Sequence, residues 1–240
     1  MSPIKLVLIY QSLLGIYGDR GNATVLAKRL EWRGIPHELV VVEPGDPLPP
    51  DAHLYLLGGG EDAAQISAVT ALKADGNLFR GLDAGAVLFA VCAGYQICGT
   101  TFTVGDADTV LEGLGVLDVS TRRGPERAVG EILTSWTRPD GSTSLITGFE
   151  NHGGFTTLGD AASPLARVEI GIGNDGRGGE GAMQGRVIGT YPHGPVLARN
   201  PDLADHLLTL ATGLDLAPLP RTELDALRAE RISAVRKGSR

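Results

Sequence analysis

The 240-residue sequence predicts an α/β fold: a doubly wound, mostly parallel central sheet flanked by helices, with an antiparallel, strand-rich portion in the middle third. Short β-branched apolar runs alternate with helical patterns in the first part of the chain, which is typical of parallel strands covered by helices. Several of these runs end in glycine-containing loops. From about residue 114 to residue 187 the apolar runs alternate with polar residues and are separated by glycines, which indicates antiparallel strands.

The parallel strands come mainly from the first hundred residues. Each is a short apolar run of the kind that forms a buried strand. The predicted strands are Ile4–Tyr10, His37–Val42, Leu54–Leu57 and Ala86–Val91, and the predicted helices are Asn22–Arg33, Ala63–Asp75 and Gly94–Gly99. Gly34 follows the first helix, where glycine commonly ends a helix.

The C-terminal part returns to the parallel sheet and then becomes helical. Val187–Tyr191 is predicted as the last strand, Pro201–Leu214 as a helix, and Arg221–Arg240 as a charged amphipathic helix. The sequence therefore predicts one domain over residues 1–214 and a C-terminal charged helical tail over residues 215–240.

Charge and composition exclude several classes of partner. The net charge of −7 and the pI near 5.2 give no general reason to bind nucleic acid or an anionic membrane. The N-terminal apolar run is too short for a membrane span, so we expect a cytoplasmic protein without direct membrane insertion. The two cysteines, Cys92 and Cys98, form no C-x-x-C pair, which predicts neither a zinc site nor a structural disulfide.

Cys92 lies between a predicted strand, Ala86–Val91, and the helix after it. A residue on such a turn projects from the carboxyl edge of the sheet, where open α/β folds place their sites. The start of the helix favours a thiolate there, and the small residues Ala93 and Gly94 leave room for a sharp bend. Cys92 is therefore a candidate nucleophile, with a small buried core residue as the alternative. Cys98 lies inside the helix and is assigned to core packing.

A cysteine nucleophile needs a base and an oxyanion hole. His193 follows the last predicted strand, Val187–Tyr191, so it lies at another carboxyl end and is the candidate base. Gly59 and Gly60 follow the third strand, and their N–H groups together with that of Ala93 are predicted to form the oxyanion hole.

Three segments in this order, L-L-G-G-G-E-D-A-A-Q, F-A-V-C-A-G-Y-Q-I-C-G and G-T-Y-P-H-G-P, resemble the class I (triad-type) glutamine amidotransferases. Within that class they resemble the cobyric acid synthase-like branch, and there the GatD family, the glutaminase subunits of lipid II isoglutaminyl synthases. The resemblance runs over roughly residues 4–210 and leaves out the tail.

The resemblance implies that Cys92 attacks the side-chain amide of L-glutamine, giving a glutamyl thioester and ammonia, with His193 as base and acid. It implies a MurT-like Mur ligase subunit as partner, which uses ammonia and ATP to amidate the D-glutamate of the lipid II stem peptide. This chain would then hold no cofactor, and ATP and magnesium would belong to the partner.

The resemblance also implies residues that bind the substrate. Arg127 matches the arginine of the family's R-x-x-G segment, and a guanidinium suits a carboxylate. Gln96, Asn151 and His152 are assigned to the same pocket. The segment Glu150–Gly154, within G-F-E-N-H-G-G, is expected to be a loop lining that pocket. His152 is an alternative base, but His193 is favoured because it follows the final strand.

One departure from the pattern concerns the third member of the triad. In most triad-type enzymes a glutamate lies two positions after the histidine, but Pro195 stands there in this sequence. We therefore expect the MurT-like partner to supply the acidic residue and the isolated chain to turn over slowly.

Three other functions compete with this interpretation. A corrinoid or other cofactor amidotransferase is disfavoured because those enzymes carry a synthetase domain on the same chain, and no G-x-x-x-x-G-K-[ST] loop is present. A catalytically silent binding or regulatory module remains open, although Cys92 and His193 together argue against it. A cysteine peptidase or related stress protein would have histidine directly after the cysteine, where this chain has Ala93.

Overall fold

A computed structural model of the chain describes residues 2–15 and 18–238. The described strands are β1 (Ile4–Ile9), β2 (His37–Val42), β3 (Leu54–Leu57), β4 (Val87–Val91), β5 (Thr101–Val104), β6 (Thr109–Glu112), β7 (Val119–Thr137), β8 (Thr143–Leu158), β9 (Ala166–Ile170), β10 (Gly179–Glu180), β11 (Ala182–Gln184) and β12 (Val187–Thr190). The helices are α1 (Gln11–Leu14), α2 (Arg20–Glu31), α3 (Asp62–Asp75), α4 (Asn77–Asp83), α5 (Ala93–Cys98), α6 (Val196–Arg199), α7 (Pro201–Thr212) and α8 (Thr222–Gly238).

The first sheet has the strand order β11-β12-β4-β3-β1-β2. The five strands from β12 to β2 pair in parallel, and only the edge strand β11 is antiparallel to its neighbour. Because neighbouring parallel strands all end at one edge, the residues that follow β1, β3, β4 and β12 converge there. The predicted α/β class with a mostly parallel sheet is confirmed.

Helices cover both faces of this sheet, because its strands carry apolar side chains on both sides. Every residue of β3 and β4 is buried. On one face α3, α4 and α5 pack against alternate strand residues such as Tyr55 and Leu88. On the other face α2, α6 and α7 pack against the intervening residues, such as Leu56 and Phe89. This double coverage makes the central strands rigid supports for the loops at their ends.

The second sheet is built around the long strand β7 and has the order β10-β9-β7-β5-β6, with β8 paired to β7. The β7–β8 ladder is antiparallel from Val119–Leu158 to Thr137–Thr143, and its register shifts between Arg123 and Ala128. A short antiparallel bridge between Phe149 of β8 and His193 joins this sheet to the end of the first. The predicted antiparallel portion is confirmed.

The structure corrects several boundaries. The antiparallel sheet begins with the β5–β6 hairpin at Thr101, before residue 114, and the sequence patterns did not predict α4. Glu150–Gly154 lies within β8 and is therefore strand, whereas a loop was expected. The predicted tail forms α8, although residues 239 and 240 lie outside the described residues. The division of the chain at residue 214 stays a prediction.

The tail helix α8 is attached to the second sheet by ion pairs and a half-buried arginine. Arg231 pairs with Glu131 of β7 at 2.8 Å and Arg236 pairs with Glu169 of β9 at 3.1 Å. Arg228 donates to the carbonyl oxygen of Leu145 at 2.9 Å. Over the described residues, the chain contains no helix with the length and hydropathy that a membrane span requires.

Candidate active site

Cys92 occupies the turn between β4 and α5 in a strained backbone conformation. Its φ is 52° and its ψ is −111°, a backbone conformation that residues other than glycine rarely adopt. The turn is held because the Cys92 N–H donates to the Thr190 carbonyl at 2.8 Å and its own carbonyl accepts from the Gln96 N–H at 3.0 Å. The thiol is thereby projected at the carboxyl edge of the first sheet, as the sequence predicts. Cys92 and Cys98 are both free, and both are buried.

His193 lies beyond the end of β12 and interacts with both Cys92 and a carboxylate. Its Nδ1 lies 3.3 Å from Oδ1 of Asp19, and both side chains are buried. Burial lowers the pKa of His193, but hydrogen bonds to Asp19 and Cys92 outweigh this effect and raise the pKa to about 10. The geometry thus favours an imidazolium beside the thiol, flanked by a carboxylate, which is the arrangement of a catalytic triad.

The carboxylate beside His193 is Asp19 of this chain, whereas an acidic residue of the partner was expected. Pro195 indeed stands where the glutamate was sought, but the carboxylate next to His193 comes from 174 positions earlier in the same chain. Asp19 precedes α2 and follows Gly18 in the connection after β1. The sequence carried one signal for it: an acidic residue in a glycine-flanked loop after a parallel strand, at the same sheet edge as Cys92 and His193.

The backbone N–H groups of the three predicted oxyanion-hole residues are not all available to the cavity. The Gly59 N–H donates to Oδ2 of Asp19 at 2.9 Å, so this group orients the carboxylate and is not directed at the cavity. That corrects the prediction for Gly59. Gly60 and Ala93 both line the cavity beside Cys92, and Ala93 is the first residue of α5. Because the first N–H groups of a helix have no partner within the helix, the Ala93 N–H is suited to an oxyanion.

A cavity of about 530 Å³ opens in front of Cys92. It lies between the start of α3, the elbow at Cys92, and the irregular part of the β7–β8 ladder. Its lining includes the predicted substrate residues Gln96, Arg127, Asn151 and His152. The Sγ of Cys92 lies 3.9 Å from the Asn151 carbonyl oxygen, and the Arg127 Nε donates to the Asn151 Oδ1 at 2.8 Å. An arginine therefore lies in the same cavity as the thiol, as a substrate with a carboxylate requires.

Gln96 and His152 line the cavity, but their polar atoms are engaged within the protein. Gln96 Nε2 donates to the Tyr191 hydroxyl at 3.3 Å, and its Oε1 accepts from Gln65 Nε2 at 3.4 Å. His152 Nδ1 donates to the Gly154 carbonyl at 2.8 Å, and its ring stacks on Tyr191 with centroids 3.6 Å apart. These contacts indicate that both residues shape the wall of the cavity. Their predicted role in binding the substrate stays a prediction.

Most of the chain matches a known domain family. Residues 5–201 match the model of the CobB/CobQ-like glutamine amidotransferase domain. The chain belongs to this family. Cys92 and His193, which follow two neighbouring strands, are its candidate nucleophile and base.

Individual relatives of this glutamine amidotransferase fall into two groups. The chain is 34% identical over 215 residues to the lipid II isoglutaminyl synthase (glutamine-hydrolyzing) subunit GatD of Staphylococcus aureus (strain N315), covering 88% of this chain and 86% of that one. It is 36% identical over 181 residues to cobyric acid synthase of Sphingopyxis alaskensis, covering 71% of this chain but only 34% of that protein. A crystal structure of a glutamine amidotransferase superposes with a TM-score of 0.58 at 21% identity, covering 88% of this chain and all of that one, which supports the fold alone.

Glu180 is a fully buried carboxyl group close to this site. Its Oε1 accepts hydrogen bonds from the Thr190 hydroxyl at 2.9 Å and the Tyr191 N–H at 2.8 Å, whereas no described residue donates to its Oε2. Burial raises the pKa of Glu180 to about 7, and the nearby charge of Glu150 adds to the rise. Glu180 therefore holds a proton in the folded protein at pH values where it is ionised in the unfolded chain.

We expect Glu180→Gln to remove a pH dependence of stability. A carboxyl whose folded pKa is raised stabilises the fold below its unfolded pKa of 4.5, and this contribution is lost as the pH rises to about 7. The loss corresponds to roughly 3 kcal/mol of unfolding free energy. Urea unfolding of both proteins at pH 4.5, 6 and 8 should show the wild type losing this amount relative to Glu180→Gln. Parallel pH curves would contradict the assignment.

Across residues 2–15 and 18–238, no group of three or more histidine, cysteine, aspartate or glutamate side chains is placed to hold a metal ion.

Proposed function

We propose that this chain is a glutaminase subunit that hydrolyses L-glutamine and supplies ammonia to a MurT-like ligase, which amidates the D-glutamate of the lipid II stem peptide to D-isoglutamine. The observation that carries the proposal is the arrangement of Cys92, His193 and Asp19 at one cavity that also contains Arg127. The similarity to the GatD subunit of Staphylococcus aureus over most of both chains supports the choice of acceptor.

The first half of the reaction forms a thioester. The Cys92 thiolate attacks the side-chain carbonyl carbon of glutamine, and the N–H groups of Ala93 and Gly60 stabilise the negative charge that develops on the oxygen. The His193 imidazolium then donates its proton to the nitrogen as the C–N bond breaks, and ammonia leaves. Asp19 keeps the imidazole oriented through Nδ1 and stabilises its positive charge.

The second half of the reaction releases glutamate. Neutral His193 takes a proton from a water molecule, which attacks the thioester carbon, and the C–S bond breaks to regenerate the Cys92 thiolate and the imidazolium. Arg127 would hold the α-carboxylate of the amino acid in both halves, because a guanidinium pairs with a carboxylate through two parallel hydrogen bonds. Each cycle thus consumes one glutamine and one water and yields one glutamate and one ammonia.

The partner completes the function. The MurT-like ligase would bind ATP and magnesium, activate the α-carboxylate of the stem-peptide D-glutamate, and receive ammonia from this chain. Because Asp19 supplies the carboxylate within the chain, the reason for expecting slow turnover in isolation no longer holds. We therefore expect measurable glutaminase activity from this chain alone, in the cytoplasmic compartment where the acceptor's precursors are made.

The proposal is tested by glutamate release from L-glutamine with the chain alone and with its MurT-like partner. Wild type and Cys98→Ala should release glutamate, and Cys92→Ala should release none in either setting, because Cys98 lies in the core whereas Cys92 faces the cavity. Isoglutamine in lipid II should appear only with partner, ATP and magnesium. No glutamate in any setting would favour a catalytically silent binding module, and glutamate release without lipid II amidation would favour another acceptor, such as a cofactor precursor.

A further inference from the structure

Three consecutive residues of β8 lie near Cys92, and none of them takes part in the proposed reaction steps. Glu150 and His152 are buried, and Asn151 between them is half-buried. Successive residues of a strand point to opposite faces, so Glu150 and His152 share one face and Asn151 points to the other. Asn151 is the residue whose carbonyl oxygen lies 3.9 Å from Cys92 Sγ.

Arg127 lies in a part of the β7–β8 ladder where the regular strand pairing is interrupted. The register between β7 and β8 shifts between Arg123 and Ala128, so Arg127 belongs to the irregular segment of the ladder. Its side chain is exposed, and its Nε donates to the Asn151 Oδ1 at 2.8 Å. An exposed arginine loses considerable rotamer freedom when it is held in one place. The position of the guanidinium in the cavity therefore depends on how firmly Asn151 is held.

Glu150 anchors one side of Asn151. Its Oε1 accepts from the Ile172 N–H at 2.8 Å and its Oε2 accepts from the Gly173 N–H at 2.9 Å, which ties β8 to the segment after β9. Hydrogen bonds from two neutral donors to one buried carboxylate are strong and fix its orientation.

His152 anchors the other side. Its ring lies against Tyr191 at an interplanar angle of 14°, its Nδ1 donates to the Gly154 carbonyl, and its Nε2 faces the Oε2 of Glu150 at 3.7 Å. The ring is thus constrained on its face and at Nδ1, while Nε2 lies near Glu150 without a hydrogen bond to a described residue. Tyr191 is two residues from His193, so the same stack also connects this part of β8 with the end of β12.

We propose that Glu150 and His152 are positioning residues of the substrate site: they hold Asn151, and Asn151 holds the Arg127 guanidinium where it pairs with the carboxylate of the amino acid. This inference rests on the proposed function, because it concerns the same cavity and its amino-acid ligand. The affinity for the amino acid is then set partly by two buried residues that act through Asn151.

The test measures how well L-glutamate protects Cys92 from alkylation by iodoacetamide, followed by mass spectrometry. This readout needs no turnover. We expect Glu150→Gln to raise the half-protecting glutamate concentration about tenfold in the wild-type background and less than about twofold in an Arg127→Ala background, because residues acting through one contact are not additive. The alkylation rate without glutamate should change less than about threefold, because iodoacetamide does not use Arg127.

A second variant and a control variant distinguish a specific effect on the amino-acid site from misfolding. His152→Phe keeps an aromatic ring on Tyr191 but removes the Nδ1 hydrogen bond to Gly154, and it should show the same coupling to Arg127→Ala. Glu38→Gln, at an exposed position of β2 on the far edge of the first sheet, should leave protection unchanged. Equal effects of Glu150→Gln in both backgrounds would overturn the inference. Absence of protection in the wild type would instead remove the amino-acid site and the proposed function with it.

Discussion

Replacing Asp19 by asparagine is expected to lower the kcat/KM for glutamine hydrolysis by about 10²–10⁴-fold while the fold stays intact, as losing the orienting carboxylate of a triad does. Asparagine is nearly isosteric and its oxygen can still accept the Gly59 N–H, so the loop around it should keep its shape. It carries no charge, however, and its NH₂ group can favour the wrong tautomer of His193. Steady-state glutamate release by the isolated chain measures the effect.

The same substitution should also change the pH dependence of the reaction. The hydrogen bonds to Asp19 and Cys92 hold the pKa of His193 near 10 against the effect of burial. Without the carboxylate, burial is opposed by Cys92 alone and the pKa falls, so the imidazolium is lost at lower pH. The alkaline limb of kcat/KM, measured from pH 6 to 10.5, should therefore move to lower pH in Asp19→Asn.

A control substitution of another aspartate shows whether the effect is specific to Asp19, and the activity with the partner shows which protein provides the functional carboxylate. Asp160→Asn changes an exposed aspartate by the same atoms and should leave both kcat/KM and the pH profile unchanged. Full activity of Asp19→Asn in the presence of the MurT-like partner, together with low activity in its absence, would show that the partner provides the functional carboxylate after all.

Gly94→Ala is expected to destabilise the protein by about 3 kcal/mol or more, at the upper end of what overpacking costs. A Cβ at this position would lie 2.6 Å from the Leu57 carbonyl oxygen and 2.7 Å from that of Gly58. Both atoms belong to the backbone at the end of β3, so no side chain can turn away to make room. The elbow at Cys92 and the glycine loop beside it would have to separate.

The Gly94→Ala substitution should change both the free energy of unfolding and the reactivity of the Cys92 thiol. Chemical denaturation measures the first, and alkylation of Cys92 by iodoacetamide measures the second, because a displaced elbow changes the surroundings of the thiol. Gly130→Ala is the control, since a Cβ there meets no atom within 4 Å and surface changes of this kind usually alter stability by less than about 0.5 kcal/mol. An unfolding midpoint of Gly94→Ala at the same denaturant concentration as the wild type would contradict the close approach between Gly94 and the end of β3.

Most of the parallel sheet and two of the three residues of the candidate triad could be predicted from the sequence, because both depend on local patterns. His37–Val42 and Leu54–Leu57 coincide with β2 and β3, since apolar runs bounded by turns form buried strands. Cys92 and His193 could be found because Cys92 directly follows β4 and His193 lies three positions after the end of β12. The rule that parallel strands end at one edge was sufficient to bring them together.

The spacing of the sequence motifs does not contain the information needed to predict three features: the position of Asp19 beside His193, the direction of the Gly59 N–H, and the β5–β6 hairpin. The contact between Asp19 and His193 joins residues at opposite ends of the chain, and the motif pattern placed the carboxylate two residues after the histidine. The Gly59 N–H could not be assigned to a carboxylate before Asp19 was known. The hairpin at Thr101–Glu112 is short and largely exposed in its second strand, so its pattern lacks the apolar alternation that marks a half-buried strand.

The bridge between Phe149 and His193 connects the candidate base to both sheets. The Phe149 N–H donates to the His193 carbonyl at 3.1 Å, and the His193 N–H donates to the Phe149 carbonyl at 2.9 Å. The backbone of His193 is therefore held by β8 of the second sheet as well as by its connection to β12 of the first. A substitution that displaces β8 near Phe149 should move the imidazole relative to the Cys92 thiol without changing a residue that lines the cavity.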